Sequence, residues 1–319
     1  MQTTTAAPVA RAPGDAAGAG RRRKRAGGRS RRRALAGLGY AAPTAAVVGL
    51  LFLVPLVLVV WMSLHHWPLL GNPTFNAPKN YTDVAHNTLV ATAAWFTVKY
   101  TVVTTVVLFT ISFGLALMVQ HPRPGVGLLR TAFFLPAAVG FATASLLFLG
   151  FLSSAIGPVN PVLEHLGLIN APVDWITGSP GGALASTVTL VTWRFAGFNM
   201  LILLTGLQAI PVELYEAARM DGCSRWQTLR RITIPLLRPT IALVLIVMTT
   251  GSLLAFDQFY ILTKGGPDDS TTSVVMVIVR EAFVRFDLGS SAALSVLVLL
   301  VLLVLNVVQL SFLRRREEK

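Results

Sequence analysis

The stretch PVELYEAARMDGCSRWQTLRRITIPLLRP, Pro211 to Pro239, lies between two long apolar runs. It carries three acids and five arginines, in a chain of 319 residues of which 54% are hydrophobic and only 13% charged. Mean hydropathy is +0.65, and a soluble domain of this length shows more charge and shorter apolar runs. The question is why so apolar a chain concentrates charge between two spans.

A lipid-spanning helix needs about 20 mostly apolar residues, and six runs meet that need: Tyr40–Ser63, Thr92–Gln120, Leu129–Leu152, Ala183–Ile210, Ile234–Phe256 and Leu288–Phe312. Lipid satisfies no free backbone N–H or C=O, so each run is expected as a continuous helix. Pro136 is expected to kink the third. The fold class is therefore an all-α polytopic membrane protein. The first run is too long for a signal-peptide core and lacks a small-x-small cleavage site, so it is read as a retained span.

Lysine and arginine set orientation. With the N-terminus inside, the inner segments 1–39, 121–128, 211–233 and the tail from Leu313, with the flanking Arg130 and Arg238, hold 21 of the 27 basic residues. Lys79, Lys264, Arg280 and Arg285 lie outside, and Lys99 and Arg194 fall within spans. Both termini are thus expected in the cytoplasm, around a cytoplasmic-membrane protein. The expected organisation is a basic N-terminal tail at 1–39, a transmembrane domain at 40–312 and a short cytoplasmic tail at 313–319. The run RRRKRAGGRSRRR beside the first span serves topology and anionic lipid, and no nucleic-acid partner is expected.

Candidate chemistry is sparse. One cysteine, Cys223, excludes an internal disulfide, and the histidines lack zinc-type spacing, so no metal site is expected. The adjacent His65 and His66 read as interfacial packing. No phosphate-cradling G-x-x-x-x-G-K-[ST] loop occurs, and no catalytic residue stands out. The chain is expected to be a non-enzyme that binds no cofactor itself.

Within the charged stretch, Pro211 suits the first position of a helix, and Glu213 and Glu216 suit its positive end. Tyr215, Ala218, Gly222, Trp226 and Leu229 recur at helical spacing, with Gly222 permitting a bend. Pro235 marks the start of the next span. Such a segment fits two jobs, a helix lying on the membrane surface or one docked in a partner's groove.

Glu216-Ala217-Ala218, then Gly222, then Ile232-Thr233-Ile234-Pro235 fits E-A-A-x3-G-x9-I-x-L-P. In this the chain resembles the permease subunits of bacterial binding-protein-dependent ABC importers. FFLPAAVGFATASLLF, GPVNPVLEHLGLI, VDWITGSP, FDQFYILTKGGPDDST and DLGSSAALSVL resemble the carbohydrate branch, of maltose and glycerol-phosphate type, over roughly Ala41 to Arg314. The resemblance implies a bent coupling helix within loop 211–234 that docks on a separate ABC ATPase dimer, which holds ATP and Mg. Glu216 would pair with a basic group there, Ala217 and Ala218 permit close approach, Gly222 allow the bend, and Asp221 help fix the loop. Two departures stand out: Cys223 replaces the usual alanine and Ile234 the usual leucine. Both keep a small or apolar volume.

The resemblance also implies a homologous second permease subunit, an extracytoplasmic substrate-binding protein, and a sugar moved by alternating access. The substrate path would run along spans four and five, with Arg194, Phe198, Met248, Gly251, Ser252 and Ala255 as lining candidates. A charge inside a span defaults to function. Arg194 would bind an anionic or hydroxyl-rich cargo, or else snorkel or pair with a neighbouring subunit. Gly251, Ser252 and Ala255 equally suit close helix packing, and Lys99 suits snorkelling. TKGGPDDST reads as a turn, and the resemblance makes it a contact for the binding protein. A glycerol-phosphate-type cargo is the alternative within the class. Outside it stand an autonomous secondary transporter, although the inverted repeats and intramembrane acids of that class are not evident, and a structural anchoring subunit.

Overall fold

The computed structural model describes residues 40–317, with side chains as far as Ser311. The expected tail 1–39 lies outside the described residues. The expected tail 313–319 is described only in its main chain as far as Glu317, where it continues the last helix.

The described residues fall into two units that part between Leu58 and Val59. Helix α1 (Tyr40–Ser63) is long and apolar enough to cross a membrane. A two-stranded antiparallel pair follows, β1 (His65–His66) and β2 (Thr74–Phe75). The His65 ring packs against Trp61 and Phe75 at 4.7 and 5.6 Å. Then come α2 (Lys79–His86) and α3 (Thr88–Val119). The Asn87 side chain caps α3 by accepting from the Leu89 N–H at 3.0 Å. Such a cap satisfies one of the four N–H groups a helix start leaves free.

The third span is not continuous. α4 (Val126–Phe134) passes into a 3-10 turn (Leu135–Ala138), and α5 (Phe141–Phe151) leaves at 96° to it. Pro136 supplies no N–H, Val139 is extended at ψ 131°, and Gly140 caps α5. The expected kink is thus a full break. α6 (Val159–His165) leads to α7 (Pro180–Gln208), which Ser179 caps from Gly182 at 3.0 Å with Pro180 at its first position. α8 (Val212–Met220) is short, and α9 (Arg225–Leu253) runs as one helix through a wide turn at Leu229–Thr233. A second wide turn (Phe259–Thr263) precedes α10 (Val274–Phe283) and α11 (Leu288–Glu317). Among the described residues five helices are long and apolar enough to span a membrane, or six if the bent pair counts as one.

α3, α7 and α9 build the core, in which Leu190, Met200, Leu203, Leu237 and Val244 are fully buried. Without water to expel, membrane helices gain by close contact between small residues. Gly197 shows this, since a Cβ there would overlap the Phe133 carbonyl. At Gly206 a Cβ would overlap the Thr240 and Leu237 side chains. The remaining apolar faces stay exposed, with Val106, Leu300 and Val304 each more than half accessible, as suits lipid contact.

Candidate functional site

The charged stretch folds as two helices, not as one bent helix. Pro211 is the N-cap of α8, not its first residue, and α8 ends at Met220. Gly222 then adopts φ +73°, the left-handed region that favours glycine. The Cys223 N–H reaches the Ala218 carbonyl at 2.9 Å and the Gly222 N–H the Arg219 carbonyl at 3.1 Å, the two bonds of a Schellman cap. Ser224 starts α9 with a reciprocal capping box to Gln227. The helical stripe expected from Tyr215 to Leu229 is therefore broken at the turn. Ala218 is buried on α8, whereas Trp226 on α9 is 66% exposed. Pro235 stands in the first turn of the regular α-helical part of α9, which begins at Ile234 as expected. The wide turn closing from the Ile234 N–H to the Leu229 carbonyl ends just before it, and such turns relieve a proline's missing donor.

Glu216, Ala217, Asp221 and Gly222 are exposed on this element, while Ile232 and Pro235 are half-buried. Tyr215 is tied back to Thr233 through their hydroxyls at 3.3 Å. Met220, 88% accessible, and Trp226 are exposed apolar groups of this element that spacing alone does not single out.

At the far end of α9 lies a cavity of about 380 Å³. Phe198 of α7 and Met248, Gly251, Ser252 and Ala255 of the α9 end line it, so five of the six path candidates meet at one place. Phe141, Phe195 and Phe256 add aromatic walls, and Asn199, Asp257 and Gln258 add polar ones.

Arg194 is not on that wall. Its Nε donates to the Val139 carbonyl at 3.0 Å, and its guanidinium lies 4.8 Å from the Phe141 ring centroid and 4.5 Å from that of Phe195. The break in the third span frees that carbonyl, and Arg194 satisfies it. The cation–π contacts account for the charge being tolerated at this depth.

The segment after α9 is held tightly. Ser273 Oγ donates to the Ala255 carbonyl at 2.7 Å, and the Val274 N–H donates to Thr97 Oγ1 at 3.0 Å. Phe259 packs edge-on against Phe96 and Tyr100 at 5.1 and 4.8 Å. Gln258 Nε2 donates to the Tyr100 hydroxyl at 3.1 Å. The amide oxygens of Gln258 and Asn199 are buried with no partner, a cost of about 1–3 kcal/mol each when unmet. Asp257 is half-buried and makes no ion pair within 4 Å among the described residues. These three polar groups escape a sequence reading because Asp257 falls one residue past the expected end of span five. Asn199 differs in no local way from any polar residue on a helix.

The TKGGPDDST segment is a half-buried turn held by its own bonds. Thr271 Oγ1 donates to the Gly266 carbonyl at 2.6 Å and lies 2.8 Å from Thr263 Oγ1, and Arg280 pairs with Asp269 at 3.3 Å. Lys264 and Asp268 remain exposed. Lys99 is exposed on α3. No group of three or more metal-ligating side chains occurs among the described residues.

Residues 109–318 match the family described as binding-protein-dependent transport system inner membrane component. The sulfoquinovosyl glycerol transport system permease protein SmoG of Agrobacterium fabrum is 33% identical over 278 residues, covering 86% of this chain and 89% of that one. The trehalose/maltose transport system permease protein MalF of Thermococcus litoralis is 32% identical over 291 residues, covering 88% and 95%. In fold, the chain is similar to one in a crystal structure of a bacterial ABC transporter involved in the import of the acidic polysaccharide alginate. The TM-score is 0.80 at 22% identity, over 90% of this chain and 98% of that one. The chain belongs to the inner-membrane permease components of binding-protein-dependent transport systems, the ABC importers.

Proposed function

We propose that this chain is one permease subunit of an ATP-driven importer for a di- or oligosaccharide, working by alternating access with both termini in the cytoplasm. The sugar relatives support the cargo class, being named for sulfoquinovosyl glycerol and for trehalose and maltose. A second, homologous permease completes the path, an extracytoplasmic binding protein delivers the cargo, and an ABC ATPase dimer binds ATP and Mg and does the hydrolysis. The chain itself is non-catalytic.

One observation carries the mechanism. α9 runs unbroken from the turn at Gly222 to the cavity wall at Met248 and Gly251, roughly 40 Å at 1.5 Å per residue. A docking helix at one end and a lined cavity at the other therefore belong to one lever. Glu216 pairs with a basic group of the ATPase groove, and Ala217, Met220 and Trp226 enter it. Asp221 and Gly222 hold the bend, while Ile232 and Pro235 sit in the α9 shaft. Closure of the ATPases pushes α8, and α9 carries the motion to Met248, Gly251, Ser252 and Ala255, which with Phe198 of α7 contact the cargo. Arg194 supports the path from behind by holding the third-span break.

The test is gentle solubilisation of the tagged chain from its native membrane, followed by mass spectrometry of what comes with it. An ATPase, a second permease and a binding protein are expected. A chain recovered alone, or only with copies of itself, under conditions that preserve such complexes, would overturn the reading in favour of an autonomous transporter.

A further inference from the structure

We infer that the open pocket at the turn between α3 and α4 binds the headgroup of an anionic glycerophospholipid, with Arg123 and Arg130 on its phosphate. The site is separate from the docking helix and from the cavity at the end of α9, and it goes beyond the transport reading.

α3 ends at Val119 and α4 begins at Val126. The turn between them falls in the segment 121–128, which the proposed orientation puts on the cytoplasmic side. Pro122, Arg123, Pro124, Val126, Gly127 and Arg130 line about 380 Å³ of open space there. The two prolines fix their own φ angles, so the turn is stiff before any ligand arrives. Arg130 reaches back across it and donates from Nε and Nη2 to the Val119 carbonyl at 3.2 and 2.6 Å. Those bonds hold the guanidinium on the pocket wall and leave its Nη1 hydrogens unused among the described residues.

No acid shares this wall, and neither arginine makes an ion pair among the described residues. The chain has no aspartate or glutamate at all between Asp83 and Glu164. Two like charges on one wall repel each other, and an anion held between them reverses that repulsion. Phosphate fits the task, since a guanidinium fork matches its oxygens two at a time.

The surroundings favour a lipid phosphate over a free one. Leu128, 76% exposed, and Leu129 follow the pocket residues on α4, and Met118 is exposed on the last turn of α3. The basic wall therefore passes within one helical turn into exposed apolar surface, at the ends of two spans where headgroups lie. A free phosphate uses only the first of these surfaces, whereas a phospholipid uses both. A choline headgroup would bring its own cation against the two arginines, so an anionic headgroup binds better.

The experiment uses the chain together with the subunits that purify with it, in nanodiscs of equal parts phosphatidylglycerol and phosphatidylcholine. The photo-crosslinker p-benzoylphenylalanine is placed at Leu128, beside the pocket, and the mass added to the chain identifies what it touches. Phosphatidylglycerol adducts should exceed phosphatidylcholine adducts about tenfold, the scale of one charge-assisted hydrogen bond. Arg123→Gln should remove most of that excess. Gly127→Asp should do so too, because a Cβ there meets nothing within 4 Å and its carboxylate adds negative charge at the pocket. Equal adducts of the two lipids, or an excess that survives either substitution, overturns the inference. An adduct to another protein subunit, or no lipid adduct, overturns it as well, since the face would then be covered by protein or bare. Inorganic phosphate is added in a parallel sample, against chloride at the same ionic strength, and should leave the excess unchanged. If phosphate alone abolishes it, the pocket takes the free anion and the lipid assignment fails.

Discussion

Arg194 on α7 donates from Nε to the main-chain oxygen of Val139, 55 residues earlier in the chain, at 3.0 Å. That bond joins the break of the third span to the helix that lines the cavity. Arg194→Leu leaves a carbonyl unpaired at membrane depth, which costs about 1–3 kcal/mol. Thermal unfolding of the detergent-solubilised complex should shift downward and maximal uptake fall, with KM nearly unchanged. A raised KM at unchanged stability would instead put Arg194 in contact with cargo.

Gly222 sits at φ +73°, and a Cβ there would meet nothing within 4 Å. The cost of Gly222→Ala is therefore conformational alone, about 1–2 kcal/mol for an L residue in the left-handed region. Insertion into the membrane should be normal while the affinity for the ATPase dimer drops several-fold. Gly222→Asn, which tolerates this conformation better, should retain most of the binding. The check is a titration of purified ATPase onto the permease pair in nanodiscs; equal affinity for Ala and Gly would show that the turn geometry is not used.

Asp174, in the loop before α7, accepts from the Thr177 hydroxyl and from the Thr177 and Ile176 amides. The Thr177 side chain, followed by its amide, holds the carboxyl below its ordinary value of 3.8. A folded value lowered in this way stabilises the turn fully above 3.8 and loses that contribution as pH falls through the folded value. Hydrogen-exchange protection of the amides at 176 and 177 should hold from neutrality down to pH 3.8 and be lost only below it, as pH falls through the lowered folded value. Asp174→Ala should lack that protection already at pH 7. Protection that survives the substitution would assign it to the surrounding fold.

Apolar run length made most spans legible, because lipid imposes that length on a helix whatever its neighbours. Leu288 starts its helix where expected, and α3 and α7 begin only a few residues early, at the caps Asn87 and Ser179. The third span was not legible as a break. Every residue from Val139 to Phe151 suits lipid, and the donor that permits the break is an arginine 55 residues away. At the coupling stretch the local chemistry was readable, yet the division into α8 and α9 was not. Gly222 allows either a bend inside one helix or a cap between two, and only the bonds to Ala218 and Arg219 decide. The cavity's small residues were named from a resemblance, whereas its polar groups emerge only when Asp257 and Gln258 are folded back beyond the end of α9.

The most direct test of the lever from docking helix to cavity is cargo-stimulated ATP hydrolysis by the complete complex in proteoliposomes, wild type against Gly251→Trp. The variant carries a filled cavity at the far end of α9 and an unaltered α8. The account predicts that the variant complex assembles with its ATPase but that loaded binding protein no longer stimulates hydrolysis. Full stimulation together with normal uptake would contradict it, because the cargo would then be passing through some other part of the complex.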